Sequence, residues 1–246
     1  MSRLPCLPLF RTLLPAAGLC AAMGAGAADI STLQGLNQSE FRGLSEDLGA
    51  ALSYKGLIPA EPMGITGFDI GLAVTGTRLQ NRAAFERATN GASVPATLPV
   101  PTLRIHKGLP FDIDVGVSYA AVPSSNVRVI GGELRWAVLA GSTVTPAVAL
   151  RASVSSLSGV DQLKLRTTGL DVSVSKGFAL LTPYAGIGTV RVKSETDASG
   201  AKTPESFGLT KVFAGLNVNF GLTNLAFEGD KTGDATSYGV KFGLRF

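Results

Sequence analysis

The stretch Tyr238-Gly239-Val240-Lys241-Phe242-Gly243-Leu244-Arg245-Phe246 places an apolar side chain at every second position, with Gly, Lys or Arg between. Successive side chains of a strand point to opposite faces. This stretch therefore carries one apolar face and one face of glycine and cation. In a soluble strand the apolar face would cover a core, and the chain would usually run on; here the sequence stops on the aromatic.

That ending resembles the last strand of bacterial outer-membrane β-barrels, in which an alternating terminal strand closing on Phe is the assembly signal. The resemblance covers one strand. It implies that Tyr238, Val240, Phe242, Leu244 and Phe246 form that signal, and that the chain lies in the bacterial outer membrane. The partners it implies are outer-membrane lipid, lipopolysaccharide and the barrel-assembly machinery.

The other end of the sequence agrees. Arg3 and Arg11 precede an apolar run from Leu13 to Ala22, and Ala25-Gly26-Ala27 supplies small residues before a cleavage point. Residues 1–28 are thus expected to be a signal peptide, since the run is too short to span a bilayer. Both cysteines, Cys6 and Cys20, fall inside it, which suits export through an oxidising compartment and excludes thiol chemistry from the exported chain. The net charge of +4 includes Arg3 and Arg11, so 20 basic residues against 18 acidic ones leave +2. A nucleic-acid partner is not expected.

Beyond residue 28 there is no apolar run of helix-spanning length. A chain without such helices can cross a membrane only as a closed barrel, because each backbone polar group needs a partner in lipid. Period-two alternation predicts ten strands, at 65–75, 98–107, 111–120, 127–139, 146–156, 163–175, 181–193, 209–220, 225–230 and 238–246. In the sixth the alternation changes parity between Leu165 and Leu170, which predicts a β-bulge near Thr167, Thr168 and Gly169. In the seventh, Tyr184 and Val190 are read as outward, Arg191 and Lys193 as inward. Ten is an even count, as single-chain bacterial barrels require. Long connections (76–97, 122–126, 158–162, 194–206) alternate with short ones (108–110, 141–143, 176–177, 221–222), as external loops and periplasmic turns do. A soluble β-sandwich has similar strands but does not account for the terminal Phe, the leader and the loop alternation together. The barrel is therefore assigned to residues 64–246.

Residues 29–63 do not alternate. Asn37 and Glu40 have capping-box spacing, and Phe41, Leu44, Leu48, Ala51 and Leu52 follow at helical spacing, with Glu40, Arg42, Glu46 and Asp47 on the other face. An amphipathic helix is expected, either as a periplasmic cap or latch beneath the barrel or as a plug inside its lumen. A second short helix is expected within 78–88.

The expected lumen-lining residues are Asp69, Arg104, His106, Asp112, Asp114, Glu133, Arg135, Arg151, Asp171, Lys211, Glu228, Lys241 and Arg245, with Lys164, Arg166, Arg191 and Lys193 also read as inward. Mixed signs in a narrow lumen favour paired networks. Eight strands are just filled by their own side chains, so ten leave a slim space and exclude a wide diffusion pore. The Asp112 and Asp114 pair resembles that of omptin proteases, whose sites lie at the extracellular rim. Here both aspartates, and the single histidine, flank a short turn and so fall toward the periplasm. No catalytic, cofactor or metal site is expected, and no enzyme activity. The expected function is a channel or transporter-like conduit for a small, hydrophobic solute. The alternative is a structural or adhesin-like barrel acting through its loops.

Overall fold

Strand β1 (Phe68–Arg78) is flanked on both sides, by β2 (Thr97–Leu109) and by β10 (Ala235–Arg245), and this double pairing closes the sheet. In the computed structural model, which describes residues 29–197 and 203–246, the wall continues through β3 (Ile113–Ala121), β4 (Arg128–Leu139), β5 (Ala147–Ser158), β6 (Leu163–Ser175), β7 (Leu181–Thr196), β8 (Glu205–Phe220) and β9 (Thr223–Thr232). All ten strands are antiparallel and joined in sequence order, as the alternation predicts. The residues expected to form the signal peptide lie outside those described.

The seam between β1 and β10 runs from Asp69 opposite Arg245 to Thr77 opposite Ser237. Below it, Phe68 and Phe246 exchange backbone hydrogen bonds: the Phe68 N–H donates to the Phe246 carbonyl at 2.6 Å, and the Phe246 N–H returns one at 3.0 Å. Their rings stack with centroids 5.6 Å apart. The longest connections, β1–β2 and β7–β8, lie at the other end, the loop end, but the expected alternation holds only in part: β4–β5 at this end, the turn end, runs through residues 140–146, whereas β9–β10 at the loop end turns over residues 233–234.

Outward positions carry an apolar belt. Leu72, Val117, Ile130, Leu134, Val154, Leu170 and Phe242 are exposed, although each alternates with a buried neighbour, and Ile187 is exposed between two half-buried glycines. Aromatic side chains edge the belt at the turn end, where Phe111, Trp136, Phe178, Phe220 and Phe246 are exposed, and Tyr119 and Tyr238 stand toward the loop end. Among the described residues no helix is long and apolar enough to cross a membrane, so the strands alone present a lipid-facing surface.

Three expectations are corrected. The β6 ladder runs without a break against both neighbours, so there is no bulge near Thr167. Leu163 and Leu165 point inward with Thr167 and Asp171, and Lys164 and Arg166 point outward. On β7, Tyr184 and Val190 are buried in the lumen, while Arg191 and Lys193 are exposed outside. For Leu163 to Arg166 and for Val190, Arg191 and Lys193 the cause is that polarity inverts toward the loop end, where the interior is apolar and the exterior polar, whereas Tyr184 lies in the turn half and turns inward to donate its hydroxyl to Glu228 at 3.0 Å. An irregularity does occur, in β4, where the register shifts between Ala137 and Leu139. Asp112 does not line the lumen. It sits exposed in the β2–β3 turn, where Phe111 and Asp112 adopt left-handed φ angles of 66° and 57° to reverse the chain over three residues.

Helix α1 (Gln38–Leu52) forms as its sequence predicts. The Asn37 side chain accepts from the Glu40 N–H, and the Glu40 carboxylate accepts from the Asn37 N–H. Helix α2 (Arg82–Ala88) lies in the β1–β2 connection.

Candidate functional site

The lumen is occupied along its length by the segment that precedes β1. Ile30 is held at the loop end, where its backbone exchanges hydrogen bonds with the Asn126 side chain at 3.2 and 3.1 Å. Helix α1 then descends inside the barrel, residues 53–63 continue toward the turn end, and Met63 donates its N–H to Asp114 at 3.1 Å. The segment therefore fills the lumen and does not cap the barrel from beneath.

In the loop half its surroundings are apolar. Phe41, Leu44, Leu48, Ala51 and Leu52 of α1 pack with Leu98, Val100, Val129, Leu165, Val190 and Val192 of the wall. The side chains buried here are those the helical spacing picked out, so burial of this stripe drives the helix into the barrel. Gly49 marks the closest approach: a Cβ there would lie 2.5 Å from Val192 Cγ2. A few polar contacts fix the rotation of α1. Ser45 Oγ meets Ser194 Oγ at 2.8 Å, and the Asp47 carboxylate accepts the N–H groups of Gln80 and Asn81 at 2.9 and 2.7 Å. Burial pushes the Asp47 carboxyl above its ordinary range, with those two amides pulling against the shift. The polar face holding Arg42 and Glu46 stays half-exposed, and Arg42 reaches Glu205 of β8 at 2.9 Å and covers the Phe207 ring.

That half-exposed face coincides with a step in the wall. The β9–β10 hairpin turns early, so the β8–β9 ladder ends at Lys211 opposite Thr232 and the β8 stretch Glu205 to Leu209 has no β9 partner. Arg42 and Gln38 of α1 contact Glu205 at this step.

In the turn half the lumen is polar, and its side chains bond the backbone of residues 52–63. Ser155 donates to the Leu52 carbonyl at 2.7 Å, Lys211 to the Tyr54 carbonyl at 2.9 Å, Arg104 to the Lys55 carbonyl and Arg135 to the Pro59 carbonyl. Conversely, Glu228 accepts from the Leu57 N–H at 3.1 Å and Ser175 from the Ala60 N–H at 3.1 Å. An extended segment inside a barrel has no ladder of its own, so the wall supplies its partners.

The charges also pair with one another. Asp69 holds Lys241 at 2.8 Å and Arg245 at 3.2 Å. Arg135 holds Asp114 at 2.6 Å, Arg151 holds Asp171 at 2.8 Å, and Lys55 holds Asp230 at 2.9 Å. His106 stands between Asp69 and Glu133, 3.2 Å from the latter, with the Tyr54 hydroxyl also 3.2 Å from its Nε2. Of the residues expected in the lumen, Asp112 lies in a turn and Lys164, Arg166, Arg191 and Lys193 face outward, while the others lie in the lumen network. Sequence reasoning missed Tyr54, Lys55, Tyr184 and Asp230. The first two lie in a stretch without periodicity, and Tyr184 was hidden by the parity misreading of β7. Asp230, at the end of a strand taken as short, was assigned to no face.

A closed barrel with an even number of strands, an apolar outer belt and aromatic edges is the form that bacterial outer-membrane proteins take. This chain is an outer-membrane β-barrel. No protein-family model matches it, and no curated protein does. Solved structures resemble it in fold at low identity. They include the N-terminal β-barrel domain of Pseudomonas aeruginosa OprF, with 14% identity over 72% of this chain and 97% of that one at a TM-score of 0.36. The outer membrane protein OprG of the same organism shows 14% identity over 77% of this chain and 99% of that one, with a TM-score of 0.36. Neisserial surface protein A shows 11% identity over 73% and 94%, with a TM-score of 0.31.

Within the barrel, the space left beside the plug is small. Where α1 gives way to the extended segment, a pocket of about 30 Å³ remains among Ser53, Tyr54, Thr75, Arg104 and Ser118. That is room for about one or two water molecules. At this level the plug occupies most of the lumen.

Proposed function

We propose that the barrel is a gated conduit for a small, apolar solute, that residues 30–63 are its gate, and that the loop end faces the outside. The observation that supports this is the separateness of the plug. It joins the wall covalently only through residues 64–67, and the wall is complete without it. Most of its polar bonds in the turn half go from wall side chains to its backbone, and the side-chain contacts of Lys55 with Asp230 and of Tyr54 with His106 are the specific latches that withdrawal must break. Withdrawal of α1 would expose Leu98, Val100, Val129, Leu165, Val190 and Val192, a lining suited to an apolar solute. The step beside β8 offers that solute a sideways exit. A barrel acting through its loops fits less well, because the first connection turns inward, burying Leu79, Phe85 and Val94 against α1.

The test uses the contact between Ser45 and Ser194. Ser45→Cys combined with Ser194→Cys, in the protein freed of residues 1–28, introduces a reversible lock. Uptake of small apolar solutes into liposomes should be blocked in the oxidised form and restored by reductant, and deletion of residues 30–52 should raise it further. Absence of uptake and of single-channel events in the reduced, native and deleted forms alike would sink the proposal.

A further inference from the structure

Outside the barrel, toward the loop end, one row of the sheet carries an unusual juxtaposition. Arg166 of β6 is directly opposite Lys193 of β7. Both point outward and are exposed. Like charges directly opposite each other destabilise a sheet, and among the described residues neither makes an ion pair. The row continues with hydroxyls on both sides, since Arg166 is opposite Ser156 of β5 and Lys193 is opposite Ser206 of β8. In the next row toward the belt, Thr168 of β6 is opposite Arg191 of β7, whose guanidinium reaches Ser206 at 3.4 Å. Lys164, in the row nearer the rim, is already matched by Asp197 at 2.7 Å, and Glu195 is the nearby carboxylate on β7. Three cations and three hydroxyls thus share one patch of adjoining strands, beside a groove of about 410 Å³ lined in part by Ser156, Lys164, Arg166, Lys193 and Glu195.

The height of the patch identifies the kind of partner. Along β7, outward positions read Ile187, Thr189, Arg191, Lys193, and along β6 they read Val172, Leu170, Thr168, Arg166. The cations therefore begin where the apolar belt ends, at the depth of lipid headgroups. Arg and Lys flanked by hydroxyl donors are the groups that hold phosphate oxygens. We infer that Arg166, Lys193 and Arg191, with Ser156, Thr168 and Ser206, form a binding site for the phosphate groups of an anionic membrane lipid seated against the β5–β8 face. The site resolves the repulsion between Arg166 and Lys193 by placing an anion between them. It is independent of whether the lumen opens.

The experiment measures retention of lipopolysaccharide by the full barrel in zwitterionic detergent. The variant Arg166→Ser with Arg191→Ser and Lys193→Ser is compared with a barrel that loses exposed cations elsewhere toward the loop end, Arg78→Ser with Lys231→Ser. Folding of each is checked by the electrophoretic shift between heated and unheated barrel. The cluster variant should bind lipopolysaccharide about tenfold more weakly, equivalent to ~1.4 kcal/mol, while the Arg78 and Lys231 variant binds as the native protein does. Arg166→Lys should retain most of the affinity. Equal losses in both multiple variants would show long-range charge attraction and overturn the site. Competition by free pyrophosphate at the same concentration as the lipid would also overturn it, since the site would then be a general anion site.

Discussion

Gly56 lies against the guanidinium of Arg151, so close that a Cβ at position 56 would fall 1.6 Å from Nη1. Arg151 cannot simply turn aside, because it is buried and held by Asp171 at 2.8 Å. Replacing Gly56 with Ala must push the plug away from β5 or break the Arg151–Asp171 pair. The expected cost is about 1–3 kcal/mol, the range for overpacking a filled interior. Urea unfolding of the barrel in lipid vesicles measures it, and an unchanged midpoint would mean the segment is not seated there.

A second close approach tests how α1 is seated. Gly49→Ala should destabilise the barrel by pressing on Val192, and Val192→Ala should relieve much of that loss. The two changes are in contact, so their effects should not add. Additive losses in the double-mutant cycle would place α1 elsewhere.

The two aspartates that the sequence treats alike should behave differently. Asp114 is buried, paired with Arg135 at 2.6 Å, and accepts the Met63 N–H, whereas Asp112 is exposed in a turn. Asp114→Ala leaves the Arg135 charge buried without its partner, and breaking a buried pair in this way costs about 3–5 kcal/mol. Asp112→Ala should stay within ~0.5 kcal/mol of the native protein, as surface changes do. Parallel unfolding curves of the two variants make the comparison, and similar losses would contradict the placement of Asp112.

That contrast shows what alternation can and cannot report. Asp112 and Asp114 have the same parity, but only a strand makes parity meaningful, and Asp112 belongs to a turn whose left-handed backbone the pattern does not display. The strand count, the capping box of α1 and the lumen positions of Arg104, Glu133 and Lys241 were legible because the turn half follows one simple rule, with lipid outside and charge inside. The rule reverses in the loop half. There Leu165 and Val192 face α1, and Arg166 and Lys193 face out, so reading apolar as outward gave the wrong face. The plug itself was legible as a helix but not as an occupant, since an amphipathic stripe states that something apolar lies opposite and does not say what.

On the lipid-facing surface, Leu72→Arg should be costly. Leu72 is 65% exposed, lies in the belt and pairs with Phe242 and Leu103 across its two ladders. An arginine near the bilayer midplane of a barrel costs about 2–4 kcal/mol, declining toward the interfaces. Refolding into vesicles measures the difference, and a neutral result would put Leu72 outside the hydrocarbon.

Removal of Phe246 should affect assembly more than passage of any solute. The residue closes the turn end of the seam through two backbone hydrogen bonds and a stacked ring with Phe68. Phe246→Ala keeps the backbone bonds and should assemble better than the deletion, though less well than the native chain. The yield of heat-modifiable barrel recovered from membranes reads this directly. Equal yields for all three proteins would remove Phe246 from any role in closure.

The segment that fills the lumen enters from the loop end, whereas the strand that follows it starts at the turn end. Placing that segment is simplest while the sheet is still open. Residues 30–63 laid across the inner face of the curling sheet before β10 zips onto β1 would act as a mandrel around which the last strand is laid, and α1 would later leave by the loop end at which the segment enters.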